Sequence, residues 1–128
     1  MPAAPPDGAL LVALGAVPGA WLRFRMVNHL EPMLPRKHWG TLMVNSSACF
    51  VLGLLVGLEP RCGSGAARLM LLLATGFLGS FSTFSSFIAE LQACLRQGAA
   101  GEARLLAVSS VGLGLVLTLL GITIGAGP

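Results

Sequence analysis

A chain of 128 residues with 55% hydrophobic and only 10% charged residues cannot clothe a water-exposed surface, because soluble domains average about 25% charged residues. Its mean hydropathy of +0.82 marks an integral membrane protein. The net charge of +3 suits lipid headgroups and membrane topology rather than nucleic acid.

Four apolar stretches can be laid against a hydrocarbon core that takes about 20 helical residues to cross. The first covers residues 8–27. No Lys or Arg precedes it, and Arg23 and Arg25 fall towards its end. That is the reverse of a cleaved signal peptide, so the segment is expected to be a mature helix. Pro18 in GAVPGA is tolerable because neighbouring helices can satisfy freed backbone groups. The loop NHLEPMLPRKH follows, and His29 and His38, in or beside it, read as interfacial and solvated. The second stretch covers residues 39–58 and carries Asn45, Ser46, Ser47 and Cys49. After EPRCGSG, the third stretch covers residues 68–95 and contains GFLGSFSTFSSF (76–87). RQGAAGEA separates it from the fourth, residues 104–124, with Ser109, Ser110 and Thr118. The expectation is an all-α integral membrane protein, one four-helix transmembrane domain over residues 1–128.

Enzymatic chemistry has no foothold. GxxxxGK[ST], HExxH and a close pair of carboxylates within a span are all absent. Cys49, Cys62 and Cys94 are odd in number and lack CxxC spacing, which supports neither a disulfide nor a metal site. Cys49 reads as packing within the second span. Transport is the natural role for so small a polytopic chain, and polar groups at bilayer depth are the candidates to carry it. Almost all of them are neutral donors, which suits an anion or a small neutral solute. Ser and Thr are also ordinary packing residues between membrane helices, and packing is favoured for Ser46, Ser47 and Thr118. For Asn45, function and helix glue weigh equally.

The segment GFLGSFSTFSSF is harder to explain as packing. On a continuous helix of 3.6 residues per turn, Phe81, Phe84 and Phe87 share one stripe. If Gly76 and Gly79 break the helix instead, carbonyls are released at depth, which is tolerated only where the backbone is buried in protein or lines a cavity. Freed carbonyls beside half-helix ends can hold a cation. The phenylalanines suit the other sign of charge, since a ring edge is the positive part of its quadrupole.

The pieces GAWLRF (19–24), WGTLMVN (39–45) and GFLGSFSTFSSF together resemble the Fluc/CrcB fluoride channel family, over essentially the whole chain. The resemblance implies a dual-topology channel in which two four-helix subunits pack antiparallel around two fluoride pores. Such a channel would lie in the cell inner (plasma) membrane and lower cytoplasmic fluoride by passive efflux. It implies a third helix broken at residues 76–87, with backbone carbonyls of Gly79 and Ser82 holding a structural sodium ion at the dimer centre. Phe84 and Phe87 would line the pores with Asn45, Ser110 and Thr118. Arg23 would stand at a vestibule, a role that weighs equally with snorkelling to the headgroups. The partners implied are fluoride, the lipid bilayer and a second subunit. The sequence departs from the family pattern at Ser80, Phe81 and Ser82, at Leu106 near the place of a fourth-helix tyrosine, and at Gly114 where a polar-track serine can fall. One pore is then less complete than the other, or both are altered.

Charge distribution bears on the second subunit. Arg23, Arg25, Arg36, Lys37, Arg96 and Arg104 face one side, and Arg61 and Arg68 the other. By the positive-inside rule, six against two places both termini outside and favours an oppositely oriented paralogue over an antiparallel homodimer. The bias falls to four against two if Arg23 and Arg25 lie within the first helix. A rival class is a four-helix proton-coupled multidrug exporter, which needs a membrane glutamate on its first helix; residues 8–27 have none. Glu90, the acid furthest inside an apolar run, reads as a cap or pair near a helix end. A non-conducting membrane subunit is the third reading.

Overall fold

The computed structural model describes residues 6–30, 32 and 37–128. Helix α1 is Gly8–Leu30 and α2 is Lys37–Leu58. The short 3-10 turns Glu59–Arg61 and Gly63–Gly65 lead into a composite third span. That span begins as α3 (Ala66–Met70), passes through a π-helical segment (Leu71–Leu78) and re-tightens as α4 (Gly79–Phe81). It resumes as α5 (Ser85–Arg96), and α6 (Ala100–Ala126) completes the chain. Four helical stretches are long and apolar enough to cross a membrane. Each outruns the limits drawn from hydropathy, because the flanking polar and basic residues remain helical where a headgroup layer accommodates them. Gly98, at φ +74°, turns the chain between α5 and α6 in the left-handed conformation that glycine adopts without steric cost.

Two helix pairs approach so closely that their backbones touch. A Cβ on Gly57 of α2 would lie 2.5 Å from the Ile122 carbonyl oxygen, and one on Gly125 of α6 would lie 2.5 Å from that of Leu54. Gly53 faces the Thr118 carbonyl and Gly121 faces that of Phe50 in the same way. Both helices therefore present a GxxxG face, and the residue numbers rise together, so the pair is parallel. Small residues permit such approach where lipid supplies no hydrophobic drive between helices. The second pair joins α1 to the π-helical segment: Gly15 and Gly19 abut the Leu72 and Phe77 backbones, and a Cβ on Gly76 would lie 2.5 Å from the Val12 carbonyl oxygen. Ser80 Oγ reinforces this pair by donating to the Ala16 carbonyl at 2.8 Å.

Between the two pairs sits a small core of Val44, Ala48, Leu78 and Phe81, with Leu22, Met26, Val27, Leu55 and Phe77 packed against it. The Phe77 and Phe81 rings stack at 5.9 Å. Leu106 is also fully buried. Leu10, Leu14, Val17 and Phe24 on α1, and Val108, Val111, Leu115 and Leu119 on α6, are exposed, as a lipid-facing surface requires.

Several expectations are corrected. Gly76 and Gly79 do not break the third span; both remain helical, and the interruption falls at residues 82–84. Gly76 serves close approach to α1 instead. Phe81 and Phe84 do not share a stripe, because the interruption between them sends Phe81 into the core and leaves Phe84 74% exposed. His38 is not solvated. It is buried, with Nε2 3.4 Å from Glu102 Oε1 and Nδ1 3.9 Å from Cys94 Sγ, linking the start of α2 to α5 and α6. At the opposite end, Arg61 Nη1 donates to the Gly125 carbonyl at 3.2 Å, and Arg68 pairs with Asp7, Nη1 to Oδ1 at 2.9 Å. Arg23 and Arg25 lie within α1, so the charge bias takes its lower value of four against two. Arg36, one of those four, lies outside the described residues.

Candidate functional site: a side-chain splint beside an open groove

The interruption is built from diverted hydrogen bonds. Ser82 N–H still reaches the Leu78 carbonyl at 2.9 Å, and the chain then leaves the helix with Ser82 at ψ 158°. Thr83 N–H, which a continuous helix would direct to the Gly79 carbonyl, donates instead to Asn45 Oδ1 at 2.8 Å. Asn45 Nδ2 donates to the Thr83 carbonyl, also at 2.8 Å. One side-chain amide thus satisfies both backbone groups of Thr83. Ser86 N–H, the helical donor to the Ser82 carbonyl, turns to Thr83 Oγ1 at 3.2 Å, which caps the first turn of α5. The Gly79 and Ser82 carbonyls both lose their in-helix donors through this rearrangement. Ser82 gains a replacement, since Arg23 Nη1 donates to its carbonyl at 3.3 Å.

The hydroxyls of the segment are mostly occupied locally. Ser82 Oγ donates to the Leu78 carbonyl at 2.8 Å, and Ser80 Oγ lies 3.1 Å from the Phe77 carbonyl besides its bond to Ala16. These bonds tie the Ser80 and Ser82 hydroxyls to backbone carbonyls of α1 and the third span.

A groove of about 400 Å³ runs alongside the interruption, and Asn45, Gly79, Ser82, Phe84, Phe87 and Ser110 all line it. These residues come from α2, the third span and α6, and span 66 positions of sequence between Asn45 and Val111, another lining residue. The Phe84 and Phe87 rings lie 5.9 Å apart, tilted by 43°. Asn45 keeps a second Nδ2–H beyond the one given to Thr83, and the Ser110 hydroxyl is a further donor. Thr118 is not among the lining residues; its Oγ1 donates to the Gly114 carbonyl at 2.7 Å, one turn back on α6. Gly114 faces Cys49, whose Sγ would lie 3.4 Å from an added Cβ. Cys49 also lines the groove, so a thiol stands beside the position where a polar-track serine can fall.

A second cavity of about 410 Å³ lies beyond Thr83, lined by Arg23, Asn28, Thr41, Thr83, Ser86 and Glu90 among others. Thr83 belongs to both cavities, so its pairing with Asn45 stands at the partition. Of the two roles expected for Glu90 it takes the pair: Thr41 Oγ1, near the start of α2, donates to its Oε1 at 2.7 Å, while its Oε2 is buried without a hydrogen-bond partner. Sequence reasoning does not single out Thr41, although it lies within WGTLMVN, and it assigns Glu90 no place beside a cavity.

Among the described residues, no group of three or more His, Cys, Asp or Glu side chains could hold a metal. The Gly79 and Ser82 carbonyls offer another kind of donor set. They are neutral, hard oxygens released from helical bonding at one groove, which fits an alkali cation rather than a soft metal.

The chain matches the family described as "CrcB-like protein, Camphor Resistance (CrcB)" over residues 10–122. It is 54% identical over 121 residues to "Fluoride-specific ion channel FluC 1" of Prochlorococcus marinus (strain MIT 9313), covering 93% of this chain and 92% of that one. It is 51% identical over 118 residues to the protein of the same name from Parasynechococcus marenigrum (strain WH8102), covering 92% and 93%. "Fluoride-specific ion channel FluC" of Haemophilus ducreyi (strain 35000HP / ATCC 700724) is 44% identical over 117 residues, covering 90% and 89%.

Proposed function

The chain belongs to the CrcB family, and from that premise we propose that it is a fluoride channel subunit whose conducting path uses the groove beside the Asn45–Thr83 pairing. It is a multi-pass membrane protein and not an enzyme. The observation that carries the pore assignment is the convergence of Asn45, Phe84, Phe87 and Ser110 on one groove from three separate spans.

Fluoride holds its hydration shell tightly, so a path must replace water with donors yet bind the ion weakly enough to release it. The second Asn45 Nδ2–H and the Ser110 hydroxyl supply neutral donors. The Phe84 and Phe87 ring edges supply weak positive potential without a formal charge. Thr118 enters this path only with its hydroxyl turned from Gly114. Arg23, which lines the second cavity, would raise the local anion concentration, as a charged cleft does, and this supports a vestibule on that side.

The groove needs a cover. Phe84 is 74% exposed at its rim, and the proposed cover is a second four-helix subunit packed antiparallel, completing two pores. Backbone carbonyls of Gly79 and Ser82 would hold a structural sodium ion between the subunits, supplying fixed positive charge near both paths. The charge bias of four against two favours an oppositely oriented paralogue as the partner, with a homodimer as the alternative. The inner (plasma) membrane is the proposed location, where passive efflux lowers cytoplasmic fluoride. A proton-coupled multidrug exporter is less well supported, since α1 offers no carboxylate and Glu90 is engaged by Thr41.

Purified protein in potassium-loaded liposomes tests the reading. Fluoride efflux with chloride retained is expected. No fluoride flux from this chain, alone or with a paralogue, overturns it.

A further inference from the structure

We propose that Arg23 is a cation built into the helix interruption, which holds the Ser82 carbonyl by a hydrogen bond and, through its charge, weakens sodium binding to the same oxygen. Arg23 is then a positioning and tuning residue for the central cation site, and not only a source of positive potential at the entrance. The inference rests on the reading of Gly79 and Ser82 as sodium ligands.

A carbonyl oxygen has two lone pairs. The helical donor to Ser82 O is occupied at Thr83 Oγ1, and Arg23 Nη1 takes a place on that oxygen at 3.3 Å. Ser82 lines the groove with Gly79, whereas Arg23 lines the cavity on the far side of Thr83. The bond therefore takes one acceptor direction of the Ser82 carbonyl and leaves a second lone pair for a cation.

The placement is fixed by sequence. Arg23 lies one helical turn beyond Gly19, whose contact with the Phe77 backbone locks α1 against the third span just before the interruption. Ser80 Oγ, bonded to Ala16, holds the same register. The guanidinium is half-buried, and no carboxylate lies within ion-pair distance of it among the described residues. Its hydrogen-bond partner is a neutral carbonyl, and Glu90, which lines the same cavity, is engaged by Thr41 and not by the guanidinium. Two cations sharing one carbonyl repel, and across a few ångströms in a partly desolvated site that repulsion is felt as a several-fold loss of affinity. Removing the charge at position 23 should tighten sodium binding even though it removes a hydrogen bond.

The test reads sodium binding apart from conduction. Thermal unfolding of the purified protein is followed against sodium concentration, with N-methylglucamine holding ionic strength constant. The wild-type Tm should rise with sodium, and Arg23→Gln should lower the sodium midpoint by at least about threefold. Arg23→Met gives the same prediction should the Gln variant not fold. Arg25→Gln removes an exposed charge that stacks on Trp21 at 5.5 Å and should leave the midpoint unchanged. A wild-type Tm indifferent to sodium defeats the sodium reading and this inference with it. A sodium response whose midpoint is unchanged or raised in the uncharged variants, or lowered equally by Arg25→Gln, overturns the role of Arg23 while the sodium site stands.

Discussion

Asn45 and Thr83 meet through two hydrogen bonds of equal length, 2.8 Å each, so that a side-chain amide replaces a helical neighbour for a whole peptide residue. Asn45 is thereby part of the scaffold that keeps the third span open, as well as a donor at the groove. Asn45→Ala should lower stability by about 1–3 kcal/mol, the cost of leaving a buried backbone donor and acceptor unpaired. Asn45→Asp keeps the acceptor for Thr83 N–H but sets a carboxylate against the Thr83 carbonyl and against any anion in the groove. Both variants should lose at least about tenfold in fluoride flux. Flux from liposomes beside thermal unfolding checks the pair, and wild-type flux in both would remove Asn45 from the path.

Phe84 lies outside the core, so its replacement separates conduction from folding. Phe84→Ile retains apolar bulk and discards the ring quadrupole. The Tm of this variant should shift little, since Phe84 lies outside the subunit core and an apolar swap that nearly conserves volume costs less than about 1.5 kcal/mol even where a second subunit covers it. Fluoride flux should fall severalfold. Unaltered flux with a folded protein would reject the ring as an anion contact.

The glycine face shared by α2 and α6 predicts unequal costs for the same substitution. Gly121→Ala puts a methyl group against the Phe50 carbonyl and should destabilise by about 1–3 kcal/mol, as overpacking does. Gly101→Ala, in the same helix with nothing within 4 Å of the added Cβ, should be neutral or stabilising by up to about 1 kcal/mol. Thermal or denaturant unfolding of the two variants side by side distinguishes them. Equal costs would mean that the crossing is looser than described.

Orientation gives a prediction outside the groove. With Arg23 and Arg25 inside α1, the bias rests on Arg36, Lys37, Arg96 and Arg104 against Arg61 and Arg68, and the positive-inside rule still places both termini outside. Terminal tags probed in intact and permeabilised cells should be mostly external. Comparable amounts on both sides would favour the homodimer over the paralogue pairing.

The spans and the segment that carries the interruption are legible in the sequence, because hydropathy over about 20 residues reports crossing length directly. The position of the interruption is not. Gly76 and Gly79 look like local breakers, yet the decisive competitor for Thr83 N–H is Asn45, 38 residues upstream. A local reading cannot see a distant side chain that outbids an in-helix carbonyl. His38 was misread for a similar reason: its neighbours Cys94 and Glu102 arrive from other helices. The GxxxG spacings at residues 53–57 and 121–125 are not singled out among so many glycines, and only the fold shows that they meet. Thr118 reads as a packing hydroxyl from its type, with a pore role only by the family resemblance, and its bond to Gly114 is the ordinary back-bonding of a helical threonine.

Helices whose backbones touch have little room to slide, so α2 with α6 form one stiff half of the subunit, and α1 with the first part of the third span form the other. Across the seam between these halves, ordinary side chains pack, and the polar Asn45–Thr83 clasp lies on it. Any rocking of one half against the other must be registered at that clasp, which also stands between the two cavities. Compliance between the halves would then fall on the peptide that separates the two cavities, and in the proposed channel a small shift there would change the width of the passage.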